Sequence, residues 1–270
     1  MIENTRALLS KYGIRPNKRL DQHFLSNENY IQKEIDAAKV TKNDVVLEIG
    51  PGVGTLTQYL LEKAKKVVAV ELDKNLANVL RQRFPEKNFS LIEGDALKTE
   101  IPEFDMCVSN IPYSISSKII VLIGKLGKPA VLMFQKEFAE RIVAKPGEKN
   151  YSRISIASQY YFEAKKICKV PKTAYFPKPK VDSAIVKLVP RKDKPNVGSE
   201  DFFFNVVRAL FTHKNQTARN AFIHSRKEFG LDKKQAQKVF GLVPYADEKP
   251  RTLPIEKIAK MSIWLKGVLS

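Results

Sequence analysis

The passage that most restricts how this chain can fold runs from Asp44 to Gly54, where the apolar stretch Val45-Val46-Leu47-Glu48-Ile49 leads directly into Gly50-Pro51-Gly52-Val53-Gly54. A short apolar run ending in glycines reads as a buried parallel strand, a tight turn, and a helix opening near Thr55. Parallel strands cannot be joined by a hairpin, so helical crossovers must follow. Residues 66–72 read as a second strand, and Asp73 supplies the N-cap of the next helix. Residues 89–93, 106–109 and 130–134 are three further short apolar runs, with a helical stretch at 116–126. This alternation predicts a doubly wound α/β sheet.

The flanks add detail. A basic opening (Lys11, Arg15, Lys18, Arg19) leads into Asp21-Gln22-His23-Phe24-Leu25 and an amphipathic helix over residues 27–39. Residues 164–170 and 184–189 are β-rich and separated by a proline-rich loop, 171–179, too short for a crossover helix. They are expected to form an antiparallel pair at the sheet edge. Residues 190–198 mix Pro, Gly, Asn and charges in the manner of a linker, which sets a domain boundary between 1–189 and 190–270. Beyond it, residues 201–211, 216–225, 233–240 and 255–269 have helical spacing, so the second domain reads as small and helical.

The chain holds 47 Lys and Arg against 29 Asp and Glu, a formal charge of +18 shared by both domains. Such an excess points to a polyanionic partner, nucleic acid above all, because a basic surface gains from releasing the counterions of phosphates. No apolar run approaches a membrane span, and the first residues lack the apolar core of a secretory signal, so a cytoplasmic protein without a membrane partner is expected. Cys107 and Cys168 sit among apolar neighbours and read as reduced, packed thiols. His23, His213 and His224 are scattered, and no metal site is expected.

The glycine turn lets the backbone approach a nucleotide-like cofactor, although a nicotinamide site or an ordinary tight turn would use the same residues. Glu71 ends the second strand, where a carboxylate can accept both hydroxyls of a ribose from either cofactor. Gly94-Asp95-Ala96 ends the third, and Asp95 can meet the exocyclic amine of a cofactor adenine or simply cap a helix. Asn110-Ile111-Pro112-Tyr113 follows the fourth strand on the same sheet edge and suits transfer of a methyl group from a sulfonium to an aromatic amine. The Asn110 oxygen and the Ile111 carbonyl, both accepting from the amine, would free its lone pair and aim it. Tyr113 offers a stacking surface for a base taken out of its helix, and Pro112 stiffens the turn.

Asp21 to Leu25, Glu48 to Thr57, Val70 to Asp73, Gly94 to Leu97, Asn110 to Tyr113 and Phe176-Pro177-Lys178-Pro179-Lys180-Val181-Asp182-Ser183 resemble, in order, the motifs of the ribosomal RNA adenine dimethyltransferases. The resemblance implies a Rossmann-like methyltransferase domain, S-adenosylmethionine as methyl donor, and dimethylation of the N6 amine of two adjacent adenosines in a hairpin loop near the 3′ end of small-subunit rRNA during ribosome assembly. It implies that His23, Leu25, Gly50, Gly52, Glu71, Asp95, Ala96 and Asn110 hold the cofactor, with Phe176 near the target base and facing Tyr113. The helical domain would contact rRNA and the assembling subunit, and the enzyme would act as a monomer. Residues 211–220 resemble the family's basic segment but carry Ala218 where leucine is usual. A large-subunit rRNA adenine methylase of the antibiotic-resistance type is the nearest alternative; a noncatalytic nucleic-acid-binding factor on the same fold is another.

Overall fold

In a computed structural model of the chain, residues 4–17 and 20–269 are described; Lys18 and Arg19 of the basic opening lie outside them. The strands are β1 (Phe24–Leu25), β2 (Val45–Ile49), β3 (Lys66–Glu71), β4 (Phe89–Glu93), β5 (Met106–Asn110), β6 (Ala130–Gln135), β7 (Phe162–Val170), β8 (Tyr175–Phe176) and β9 (Ser183–Pro190). Seven of them form one sheet in the order β4-β3-β2-β5-β6-β9-β7. β2 to β6 are mutually parallel where they pair, and β9 runs antiparallel to β6. β7 takes the edge beside β9, where the sequence pattern placed it.

Apart from the half-buried edge strand β4, the parallel strands are largely buried, which is why they read as short apolar runs. Val46, Val67, Val108 and Val131, one per strand, meet Ile31, Ile35 and Ala38 of α2 (Glu28–Ala38) and Leu56 and Leu60 of α3 (Thr55–Lys63). α2 is capped by Asn27 and stopped by Lys39 in left-handed conformation, and α4 (Lys74–Arg83) is capped by Asp73 through the amides of Asn75 and Leu76. From β2 the chain winds outward through α3, β3, α4 and β4, then returns to lay β5 on the other side of β2 before α5 (Ser116–Leu126) and β6. The order therefore reverses between β2 and β5, and ligands bind at the carboxyl ends of strands flanking such a reversal.

Two features near the start have no counterpart in the sequence reading. A short helix, α1 (Thr5–Lys11), occupies part of the basic opening and buries Leu8 and Leu9 against Phe24, Val53 and Leu76. β1 pairs antiparallel with β8, Phe24 opposite Phe176 and Leu25 opposite Tyr175, as a separate two-stranded clasp.

The chain divides into two compact units, residues 1–139 with 163–190, and residues 140–162 with 191–270. One division falls at the expected linker. From within α6 (Lys136–Val143) onward, residues 140–162 depart from the expected 1–189 boundary, because α7 (Arg153–Tyr161) carries Tyr160 and Tyr161, whose rings pack on Phe203 and Phe204 of α8 (Glu200–Thr212) at 5.6 and 5.9 Å. The Tyr151 hydroxyl, fully buried, also donates to the Leu253 carbonyl at 2.9 Å. The second unit continues as α9 (Ala218–His224), α10 (Lys233–Gly241) and α11 (Ile255–Leu269), close to the helices expected.

Candidate active site

At the carboxyl ends of β2, β3 and β5 a cleft of about 220 Å³ opens within the first unit. Its lining brings together His23, Leu25, Gly50, Gly52, Glu71, Asp95, Ala96 and all four residues of Asn110-Ile111-Pro112-Tyr113. Segments spread over some ninety positions of sequence thus converge because each immediately follows, or closes over, a strand end at the reversal.

The glycine turn has steep steric demands. Gly50, Gly52 and Gly54 have φ of 70°, 62° and 80°, the left-handed region that side chains resist. A Cβ at Gly52 would stand 2.8 Å from the Phe24 ring, and one at Gly50 would touch Pro112 at 3.4 Å. The turn is thus pressed between the clasp and the Asn110 motif, and glycine is needed for contacts within the protein as well as for a ligand.

Glu71 is buried and holds the turn in place: Oε2 accepts from the Gly52 amide at 3.1 Å and Oε1 from the Asp73 amide at 2.9 Å. Burial pushes its carboxyl up to about 7, against the pull of those two amides. Glu71 also lines the cleft, and a carboxylate has acceptor capacity beyond these two amides. Glu48 beside it is also buried and accepts from the Thr57 hydroxyl at 2.7 Å; burial raises it to about 8, and the neighbouring Glu71 adds to the rise. Asp95 is half-buried, and one oxygen accepts from the Leu97 amide at 2.9 Å while the other lies 4.0 Å from Lys98 Nζ. It caps a turn and still has acceptor capacity for a ligand.

The most telling atom is Asn110 Oδ1. It is buried at the last residue of β5 and has no hydrogen-bond partner. A buried carbonyl oxygen without a donor costs about 1–3 kcal/mol, so it is kept where an incoming donor compensates. Next to it Ile111 is buried, and the Tyr113 hydroxyl lies 2.9 Å from the Ser183 hydroxyl. Burial raises the Tyr113 phenol, chiefly by desolvation, so the ring stays neutral and apolar.

The amino-terminal segment closes over this floor. Asp21 accepts from the Ser114 amide at 3.1 Å, Gln22 donates to Asp73 at 2.8 Å, and His23 Nδ1 lies 2.8 Å from the Pro177 carbonyl. The ring stacked with Tyr113 is that of His23, at 6.2 Å and 29°. Phe176, expected to face Tyr113, stands on β8 outside the cleft lining, 36% exposed. Tyr175 and Ser183, which support the site, lie beside and within the 176–183 motif but were not singled out in the sequence; a tyrosine next to a strand signal was the available clue. Among the described residues no group of three or more His, Cys, Asp or Glu is placed to hold a metal. Cys107 and Cys168 are unbonded thiols.

A family model described as ribosomal RNA adenine dimethylase matches residues 13–248. The probable ribosomal RNA small subunit methyltransferase A of Pyrococcus abyssi is 41% identical over 96% of this chain and 95% of its own length. Its namesake from Methanopyrus kandleri is 40% identical over 99% of both. Among solved structures, a dimethyladenosine transferase from Plasmodium falciparum superposes with a TM-score of 0.77 at 34% identity, covering 90% of this chain and 98% of that one. The 23S rRNA methyltransferase ErmE superposes at 0.64 with 24% identity over 90% of this chain and 99% of its own, a likeness of fold.

Proposed function

The chain belongs to the ribosomal RNA adenine dimethylase family and is an S-adenosylmethionine-dependent methyltransferase of rRNA adenine; from that premise we propose that its substrate is the small-subunit rRNA, where two adjacent adenosines in a hairpin loop near the 3′ end each receive two methyl groups. Relatives named for the small subunit at about 40% identity over nearly the whole chain support that choice. The observation that carries the reading of the site is the buried, unpartnered Asn110 Oδ1 at the carboxyl end of β5, in the same cleft as the glycine turn.

The residues present fit the methyl donor: a glycine turn, a buried acidic residue and a second acidic residue at successive strand ends suit an adenosine bearing a charged sulfur. When bound, S-adenosylmethionine supplies a methyl carbon activated by the sulfonium. Glu71 accepts hydrogen bonds from the ribose hydroxyls, and Asp95 accepts from the adenine amine. Gly50 and Gly52 leave room for the ligand, Ala96 lines the base, and His23 and Leu25 close the cleft from the amino-terminal side.

The nucleophile is the poorer partner, because the adenine N6 lone pair is delocalised into its ring. Asn110 Oδ1 and the Ile111 carbonyl accept the two amine hydrogens, favour a pyramidal nitrogen, and hold it in line with the reacting carbon. The base must first leave its stack, and Tyr113 returns some of that cost, roughly 1–3 kcal/mol for a base on an aromatic ring. Pro112 keeps Asn110 and Tyr113 in fixed relation. The alkylated amine is acidic enough to lose its proton to water, so no strong base is required.

In the same reading, the first unit is the methyltransferase domain, the helical unit contacts rRNA in the assembling subunit, and the enzyme works as a cytoplasmic monomer. Among the described residues no helix is long and apolar enough to cross a membrane. The test supplies labelled S-adenosylmethionine with undermethylated small subunits, large subunits and free rRNA, and maps the product. Label on two neighbouring adenosines of small-subunit rRNA is expected; label confined to the large subunit would sink the substrate assignment.

A further inference from the structure

The turn that carries Tyr113 is held from outside its own stretch of chain. Tyr113–Ile115 form a short 3₁₀ turn, and Pro112, which precedes it, offers no side-chain hydrogen bond to its amides. The first amides of a helical turn have no partner within it. That of Ser114 finds its acceptor in Asp21 Oδ2, 3.1 Å away and 93 positions earlier in the sequence.

Asp21 holds this place against backbone strain. Its φ is 52°, in the left-handed region, and strain there, about 1–3 kcal/mol, persists where the surroundings over-determine the conformation. The next residue supplies that determination. The Gln22 side chain accepts from the Asn17 amide at 2.8 Å and donates to Asp73 Oδ2 at 2.8 Å, while the Asp73 amide donates to Glu71 Oε1. His23 follows, lining the cleft and stacking with Tyr113. One run of neighbouring residues and hydrogen bonds therefore leads from Glu71, the acceptor assigned to the ribose, through Asp73, Gln22 and Asp21 to the amide beside Tyr113, the ring assigned to the target base.

We propose that Asp21 is a positioning residue that couples the two halves of the site: it fixes the Tyr113 turn while the amino-terminal segment is closed, so a cofactor held under that segment raises the affinity for the target adenosine. Asp21 acts through the Ser114 amide and takes no part in the transfer itself. The inference rests on the reading of the cleft given above, cofactor at Glu71 and base at Tyr113, and is independent of which ribosomal subunit supplies the adenosine.

The experiment compares the full chain with Asp21→Gly and Asp21→Asn. Glycine keeps the left-handed backbone and removes the acceptor; asparagine keeps both, because it tolerates that conformation and carries a side-chain carbonyl. RNA Kd is measured with and without saturating S-adenosylhomocysteine, together with the Kd of S-adenosylhomocysteine alone and kcat and KM for RNA. In the wild type S-adenosylhomocysteine should tighten RNA binding about tenfold, an ordinary coupling between two sites. Asp21→Gly should reduce that gain to less than about twofold and lower kcat/KM for RNA about tenfold, the effect of losing one hydrogen bond to a charged group. Its Kd for S-adenosylhomocysteine without RNA should match the wild type, and Asp21→Asn should retain most of the gain and of kcat/KM. An undiminished gain in Asp21→Gly would overturn the proposal, as would Asp21→Asn behaving like Asp21→Gly. Loss of S-adenosylhomocysteine binding in the absence of RNA would also overturn it, by making Asp21 a cofactor contact or a support of the fold. A wild type that methylates rRNA adenine yet shows no gain removes the coupling and leaves the reading of the cleft intact. Should it methylate large-subunit rRNA alone, the subunit assignment fails separately, and the same measurements on that RNA decide the role of Asp21.

Discussion

Two regions of the first unit bury oxygen atoms without hydrogen-bond partners, and they do so for opposite reasons. At the carboxyl edge of the sheet, Asn110 Oδ1 is unpartnered in the wall of the cleft. In the layer between α2 and the sheet, both oxygens of Glu34 are unpartnered and the residue is 0% exposed, with no part in the cleft lining. Each atom costs the folded protein stability. Only the first lies where a substrate amine can bring the missing donor, so position relative to the strand ends, rather than burial alone, separates a functional group from a structural liability.

The largest effect should come from the edge. Asn110→Ala is expected to lower kcat by about 10²–10³-fold, the usual cost of losing one oriented acceptor or donor in a transition state. Binding of RNA should change little, and binding of S-adenosylmethionine, which Asn110 is only one of eight residues expected to hold, should weaken far less than turnover falls. Single-turnover kinetics alongside both binding constants would decide it. If cofactor binding fell in parallel with turnover, Asn110 would be a support of the cleft and the contrast with Glu34 would dissolve.

Glu71 should give an intermediate effect on the same edge. Its oxygens accept from the Gly52 and Asp73 amides, so Glu71→Gln turns an amide donor toward a backbone donor and loosens the glycine turn. Cofactor Kd is expected to rise about 10–100-fold, the range for hydrogen bonds to a charged group. Burial places this carboxyl at about 7, and the ionised form is the one that accepts freely from two hydroxyls. Affinity in the wild type should therefore increase as pH rises through about 7, and titration calorimetry across pH 6–8 should find that inflection missing in the variant.

The contrast also explains what could be read from residues alone. Strands β2, β3, β5 and β6 were legible because burial of their cores makes them short apolar runs, and the half-buried edge strand β4 because its Leu91-Ile92 is closed by Gly94, and the site residues lie at the ends of β2 to β5. The β1–β8 clasp left no local trace: each strand has two residues, and the partners are about 150 positions apart. α1 was obscured because Leu8 and Leu9 sit within a basic stretch. That residues 140–162 group with the helical unit was not legible locally, because their place there depends on rings such as Phe203 and Phe204, which lie far along the chain. The burial of Glu34 did have a signal, since positions 31, 34, 35 and 38 share one face of α2 and three of them are apolar.

Replacing Glu34 by the similarly long, apolar methionine tests the other half of the comparison, with the smallest effect and no expected change in turnover. Burial, with a further contribution from Glu48, raises the Glu34 carboxyl well above its ordinary range. A carboxyl whose folded pKa exceeds its unfolded one binds protons more tightly in the native state, so the wild type is penalised increasingly as pH rises above about 4.5 and until the folded pKa is passed. The variant has no such group. Glu34→Met should therefore be more stable by about 1–3 kcal/mol at neutral pH, with a smaller advantage near pH 4, where the acid is neutral in both states and only its unmade hydrogen bonds remain. Denaturant melts of both proteins at the two pH values measure this directly. A destabilised variant with reduced kcat would mean that the buried acid supports the cleft through Glu48, and that the two regions are less separate than their positions indicate.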